Sequence, residues 1–200
     1  MMKLLDLFCG AGGAAMGYYR AGFEVIGVDV NPQPHYPFEF HQANALEYPL
    51  DGFDVIHASP PCQKFSAMQH IHNNRHKHPD LIEPIRDRVA KFPYVIENVP
   101  GAPIRRDLLL CGTMFGLNIA RHRIFESNSL SFELLPPCNH VDLYDPWHGG
   151  EMARGEKEKL AKAMGIEHFM TRPEVREAIP PAYTEYIGKQ LMKALEEEIP

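Results

Sequence analysis

Four short stretches of this 200-residue chain hold side chains that could do chemistry. Pro60-Pro61-Cys62-Gln63 presents a thiol on a turn stiffened by two prolines, directly after the apolar run Phe53 to Ala58. A cysteine at the end of a strand is placed for nucleophilic attack rather than for core packing, and Lys64 with the basic residues after it is expected to favour the thiolate. Glu97-Asn98-Val99-Pro100 closes another apolar run, where a partly buried Glu can serve as general acid or base. Arg121-His122-Arg123 alternates two guanidinium groups on one face of a predicted strand, where they can hold a carbonyl or a phosphate. The fourth stretch, Phe8-Cys9-Gly10-Ala11-Gly12-Gly13, is a glycine turn. Its Gly10-x-Gly12-x-x-Ala15 pattern fits a dinucleotide fingerprint, and Asp29, 19 residues beyond Gly10, can accept bonds from ribose hydroxyls. A pyrophosphate dinucleotide and S-adenosylmethionine both need such a turn and acid, so this pattern leaves the choice between them open.

The elements that must position these groups are legible as an alternation of apolar runs and helical patterns, which points to βαβ units. Strands are expected at Lys3 to Phe8, Phe23 to Asp29, Phe53 to Ala58, Pro93 to Val99, Leu108 to Cys111 and Arg121 to Glu126. Helices are expected at Gly13 to Ala21, Asp80 to Phe92, Glu151 to Met164 and Ala182 to Glu198. Residues 127 to 150, rich in Ser, Pro and Asn, fit neither pattern. All four chemical stretches then fall at or beside strand ends, where an open α/β sheet binds its ligands.

Composition narrows the class. With 44% hydrophobic and 23% charged residues, the chain is an ordinary globular domain that can form a core without covalent staples. The net charge of −6 hides a division: residues 1–60 carry −5, residues 61–125 carry +5 and residues 126–200 carry −6. The positive third also holds five of the eleven histidines, so an anion-facing surface survives the acidic total. Cys9, Cys62, Cys111 and Cys138 lie far apart and are expected as free thiols in a reducing compartment. Asp6 and the glycines at 10, 12, 13 and 17 argue against an amino-terminal signal segment, and no run of about 20 apolar residues exists. The expected protein is cytoplasmic, with no membrane partner. Cys138-x-His140 with His148 offers three scattered metal ligands and no fourth, so no metal is assigned.

The motifs and their order resemble the cytosine carbon-5 DNA methyltransferases. Asp6-Leu7-Phe8-Cys9-Gly10-Ala11-Gly12-Gly13 is similar to that family's cofactor turn, Pro60-Pro61-Cys62-Gln63 to its nucleophile loop, Glu97-Asn98-Val99 to its acidic motif and Arg121-x-Arg123 to its arginine strand. Ile179-Pro180-Pro181-Ala182-Tyr183 resembles the family's last motif, which returns a helix beside the cofactor turn. The resemblance implies an α/β, Rossmann-like S-adenosylmethionine-dependent methyltransferase fold: a mixed, mostly parallel sheet with helices on both faces and a late antiparallel hairpin. It implies Cys62 as nucleophile, Glu97 holding and protonating the ring nitrogen, and Arg123 bonding the exocyclic oxygen, with Arg121 also in the catalytic group. It also implies that the cofactor is held by Asp6, Phe8, Gly10, Ala11, Gly12, Gly13, Asp29, Val30, Asn44, Ala45 and Pro60. The substrate would be double-stranded DNA with the target base flipped out of the stack.

Two residues depart from the family pattern: Asn44 stands where an Asp is usual, and Ile119 where a Gln precedes the arginines. Size is the third departure. Residues 1–126 and 164–200 make the catalytic domain, leaving only 127–163 for target recognition, a shortness that resembles compact bacteriophage-encoded methyltransferases. Such a chain invites a homodimer, and it leaves two alternatives: a catalytically weak module that binds cofactor and DNA, or a methyltransferase acting on RNA cytosine or a free nucleotide.

Overall fold

The computed structural model describes residues 1–65, 80–130, 134–144 and 156–197. Short apolar runs closed by Gly, Pro or Asp become the strands β1 (Lys3–Leu7), β2 (Glu24–Asp29), β3 (Glu39–Gln42), β4 (Val55–Ala58), β5 (Tyr94–Asn98), β6 (Leu108–Leu110) and β7 (Arg123–Ser127). They form one sheet in the order β3-β2-β1-β4-β5-β7-β6. The pairs from β3 to β5 are parallel, whereas β7 runs antiparallel to both β5 and β6. The late hairpin is therefore present, and the sheet is the expected mixed, mostly parallel one.

Strands covered on both faces must be apolar at successive residues, and the period of two then sorts neighbours to opposite sides. Leu4, Val25, Val55 and Val95 join the core that contains Tyr18 and Tyr183. Their chain neighbours Leu5, Ile26, Ile56 and Ile96 join the opposite core with Ile85 and Val89. Helix α1 (Gly13–Ala21) and the carboxy-terminal helix α5 (Pro181–Glu197) cover the first face, and α2 (Ile82–Val89) contributes to the second. α1 and α5 approach closely at Gly17, where a Cβ would stand 2.1 Å from the Pro181 carbonyl oxygen and 2.1 Å from the Thr184 hydroxyl.

Several boundaries differ from the sequence expectation. β7 begins at Arg123, so Arg121 precedes the strand rather than alternating along it. The helix expected from Asp80 to Phe92 is the shorter α2, with Pro84 in its first turn, where backbone N–H groups have no intrahelical partner to lose. α3 is described from Glu156 to Ala163, and its residues Leu160 and Ala163 pack with Met164, Ile166, Met170 and Val175 in a third small core. The boundary drawn at residue 163 thus does not divide the packing. β3 and α4 (Arg172–Glu177) were not expected. No helix among the described residues is long and apolar enough to cross a membrane.

Candidate active site

The glycine turn leaves β1 in left-handed backbone: Phe8 at φ 59°, Gly10 at 49° and Gly12 at 84°. Gly10 and Gly12 adopt this region without cost, while Phe8 is held there against its preference, a strain typical of functional turns. Gly12 also admits the 31–38 loop, since a Cβ would lie 2.6 Å from Pro37 Cδ. Asp29, at the end of β2, accepts from the Gly10 N–H at 3.2 Å through one oxygen and from the Asn31 N–H at 2.9 Å through the other. Each oxygen keeps a lone pair for a ribose hydroxyl. Beside it Val30 is 65% exposed, an apolar surface unusual for a side chain at a strand end. Asn44 uses its side-chain oxygen to accept from the Leu46 N–H at 3.0 Å, so it caps the local turn while remaining exposed.

Four residues assigned to the cofactor by resemblance, Asp6, Ala11, Ala45 and Pro60, are buried and do not reach the surface with their side chains. Ala45 lies in the second core. Asp6 is fully buried in β1, with Tyr36 O–H donating to it at 3.5 Å and its other oxygen without a partner among the described residues. Burial, with Asp29 and Glu97 adding like charge, pushes its carboxyl up to about 8 despite the Tyr36 bond. Asp6 is thus mostly protonated at pH 7, with Tyr36 as its hydrogen-bond donor. Tyr36 reaches it because Gly27 carries no side chain: a Cβ there would lie 2.3 Å from the tyrosine ring.

The nucleophile loop follows β4. Pro60 is buried and its carbonyl accepts from Asn98 Nδ2 at 2.9 Å, which fastens the loop carrying Cys62 to the end of β5. Cys62 is half-buried and free. Its thiol is not activated as the sequence suggested. Burial and the Glu97 charge push it up, outweighing Arg123 and Arg121, and Lys64 pairs instead with Asp80 at 3.0 Å. The basic residues after Ser66 that were expected to help lie outside the described residues.

Glu97 is buried at the end of β5, and Arg123 Nε lies 2.8 Å from its Oε1. That ion pair is poorly aligned, for Oε1 makes no hydrogen bond among the described residues. Burial raises the Glu97 carboxyl, opposed by Arg123, the Ser59 hydroxyl and Arg121. Arg121 sits close enough to act on both Glu97 and Cys62, but it is oriented by α4, donating to the Arg176 carbonyl at 2.7 Å. Burial and Arg123 bring its guanidinium down to about 9, which leaves it charged at neutral pH. Tyr183 of α5 donates to the Arg121 carbonyl, so the returning helix also braces the arginine. Ile119 is a core residue packed on Gly112, not a polar group at the site.

Sequence reasoning missed the groups behind Glu97. Buried His57 in β4 links the Tyr18 hydroxyl, 2.9 Å from Nδ1, to Ser59 Oγ, 2.9 Å from Nε2. Burial lowers the imidazole to about 3, so it is a neutral connector. The available signal was a histidine inside an otherwise apolar strand, which must find partners.

The convergence of a cysteine loop, a glutamate and an arginine on the parallel sheet's carboxyl edge agrees with the comparison to protein families, in which residues 2–103 match the model for C-5 cytosine-specific DNA methylases. The chain belongs to this family. The matched span contains the glycine turn, Cys62 and Glu97, while both arginines lie beyond it. Among curated relatives, the type II methyltransferase M.FnuDI of Fusobacterium nucleatum is 34% identical over 53% of this chain and 35% of its own length. M.HgiGI of Herpetosiphon aurantiacus is 31% identical over 33% of this chain and 64% of its own. The chain therefore spans about a third to two thirds of these relatives. An E. coli prophage protein described as a candidate DNA modification methyltransferase superposes with a TM-score of 0.68 at 14% identity, covering 98% of this chain and 100% of that one. The methyltransferase EhMeth of Entamoeba histolytica gives 0.62 at 12% identity, covering 100% and 99%. These two likenesses establish the fold: a Rossmann-like, mostly parallel sheet of the methyltransferase type.

Proposed function

We propose that this C-5 cytosine-specific DNA methylase family member transfers a methyl group from S-adenosylmethionine to carbon-5 of cytosine in double-stranded DNA through a covalent Cys62 adduct. The observation that carries the reading is the tie from Asn98 to the Pro60 carbonyl, which holds the thiol loop against the strand end bearing Glu97 and, across it, Arg123. The turn strained at Phe8, the ribose-ready Asp29 and exposed Val30 fit an adenosine moiety. S-adenosylmethionine, when bound there, supplies an electrophilic methyl group.

Carbon-5 of cytosine is a weak nucleophile, and adding sulfur to carbon-6 converts the ring to an enamine that can take the methyl group. A flipped base entering between Cys62 and Glu97 would engage the glutamate through ring nitrogen 3, with the proton held by a carboxyl already raised by burial. Once Glu97 is neutralised by that contact, the repulsion it exerts on Cys62 disappears and Arg123 and Arg121 remain, so the thiol becomes easier to ionise as the base arrives. Arg123, released from Glu97, can bond the exocyclic oxygen. Loss of the carbon-5 proton then expels the Cys62 sulfur and restores the aromatic ring.

Residues 127–163 are the recognition segment in this reading. The segment is short and acidic on balance, with six acidic side chains against Arg154, Lys157, Lys159 and Lys162, which leaves little for base readout and favours a short or degenerate sequence context, extended only if a second copy adds surface. The test is DNA containing 5-fluorocytosine, because fluorine at carbon-5 blocks the final elimination. Wild-type protein with S-adenosylmethionine should be trapped on the DNA, and Cys62→Ala should not. Methylation of ordinary DNA at equal rates by Cys62→Ala would overturn the proposal.

A further inference from the structure

Beside the arginines, the fold assembles a group of side chains that no part of the methyl-transfer reading uses. Cys111 follows β6, His122 stands between the two arginines just before β7, and Cys138 and His140 come from the segment after β7. Their four ligand atoms all lie within 4.8 Å of one another. Cys111 Sγ is 3.4 Å from His140 Nε2, Cys138 Sγ is 3.9 Å from His122 Nε2, and the two imidazole rings stand nearly perpendicular with centroids 5.0 Å apart. Zinc bonds of about 2.3 Å to sulfur and 2.0–2.1 Å to nitrogen require tetrahedral edges of about 3.3–3.8 Å, so shifts of a fraction of an ångström to about one would close this group around an ion.

The donor set selects the metal. Two thiolates and two neutral imidazoles suit zinc, and two thiolate charges balance a dication without any carboxylate. Both cysteines are free, so they are not already joined to each other. Cys111 is buried while His140 is exposed, giving a site rooted in the sheet and closed from outside. Around the group, the Thr113 hydroxyl lies 3.4 Å from Cys111 Sγ and accepts from the Asn139 N–H at 3.1 Å, fixing the 138–140 turn over the buried ligand. Residues 134–144 form no helix or strand, and such a stretch needs an anchor other than a backbone ladder.

We propose that Cys111, His122, Cys138 and His140 bind one zinc ion that staples the segment after β7 to the arginine-bearing edge of the sheet. Binding releases the two thiol protons and forms two Zn–S and two Zn–N bonds, with no change of redox state. His122 as a ligand would hold the backbone between Arg121 and Arg123, so the staple joins the recognition segment to the strand that faces the target base. The sequence offered Cys138-x-His140 and looked to His148, which lies outside the described residues; the missing partners come from the two ends of the connection between β6 and β7.

The experiment is elemental analysis of the full chain purified from zinc-supplemented cells in reducing buffer and dialysed without chelator. Wild type should hold about one zinc per chain, and replacement by cobalt should produce tetrahedral d–d bands with thiolate charge transfer. Cys138→Ser and His140→Ala should each lose most of the metal, at least about fivefold, whereas Cys62→Ser, which removes a thiol elsewhere, keeps it. His140 is exposed, so circular dichroism of His140→Ala should report a folded chain and separate metal loss from unfolding. Wild type with less than about a tenth of an equivalent and no cobalt uptake, or zinc retained by both ligand variants, overturns the proposal. So does a Cys111–Cys138 disulfide in the reduced preparation.

Discussion

Two buried glutamates on neighbouring strands divide the sheet into a part that holds and a part that acts. Glu126 of β7 is fully buried and surrounded: Arg86 grips it with two bonds of 2.8 Å, the Tyr94 hydroxyl donates at 3.0 Å and the Arg105 N–H at 2.9 Å. Burial alone would raise its carboxyl, but these donors bring it below the ordinary value. Glu97 of β5 is almost equally buried, yet it has one misaligned arginine and an oxygen with no hydrogen bond among the described residues, and its carboxyl is raised. The same side chain, at similar depth, is a clamp where its donors are complete and, in the proposed mechanism, a reactive group where they are left short. The unsatisfied one stands at the carboxyl edge, where a ligand can complete it.

The comparison is sharpened most by Glu97→Gln. It should lower methyl transfer by about 10²- to 10⁴-fold, the usual scale for a positioned acid, with a thermal midpoint no lower than that of wild type. A variant that methylates normally but melts early would reverse the assignment. Glu126→Ala should do the opposite. Removing one partner of a buried pair leaves Arg86 with only exposed Glu83 and the Pro103 carbonyl, and should cost about 3 kcal/mol of stability, read as a lower denaturant midpoint, with turnover per folded molecule kept within a few-fold.

Asp6 gives a smaller effect with a pH signature. Its carboxyl is raised from 3.8 to about 8, so protonated Asp6 contributes fully below pH 3.8, progressively less as pH rises, and nothing further once pH passes about 8. Asp6→Asn should flatten that decline and be about 1–3 kcal/mol more stable than wild type at pH 8, since no buried charge must form. Identical pH–stability curves for the two proteins would place Asp6 in a wetter setting than its burial implies. The smallest change is Glu83→Gln. Glu83 meets the same Arg86 as Glu126, but it is 67% exposed, and its loss should alter stability by less than about 0.5 kcal/mol.

The groups of the proposed site were legible in the sequence because each sits in a contiguous motif at the end of an apolar run. Cys62 behind two prolines, Glu97 after Tyr94 to Ile96 and the glycine turn before α1 could be placed from local pattern alone. β3 was not legible: it is an edge strand of four partly exposed residues, Glu39 to Gln42, without an apolar run. α4 did carry a signal. Thr171-x-x-Glu174 is a capping box, with the Thr171 hydroxyl donating to Glu174 at 2.7 Å, but a helix of six residues shows no periodicity to confirm it.

What the sequence determined by itself was therefore the class of sheet, the order of the motifs and the placing of Cys62, Glu97 and Asp29 at strand ends, all of which depend on residues close together in the chain. Tertiary structure decided the rest. It set the protonation of Asp6, Cys62 and Glu97 through burial and through charges brought from other strands. It gave Glu126 its arginine from 40 residues away, and it gathered Cys111, His122, Cys138 and His140 into one group. Desolvation and coordination depend on which atoms meet in space, and no local pattern encodes a meeting between residues that only the fold makes neighbours.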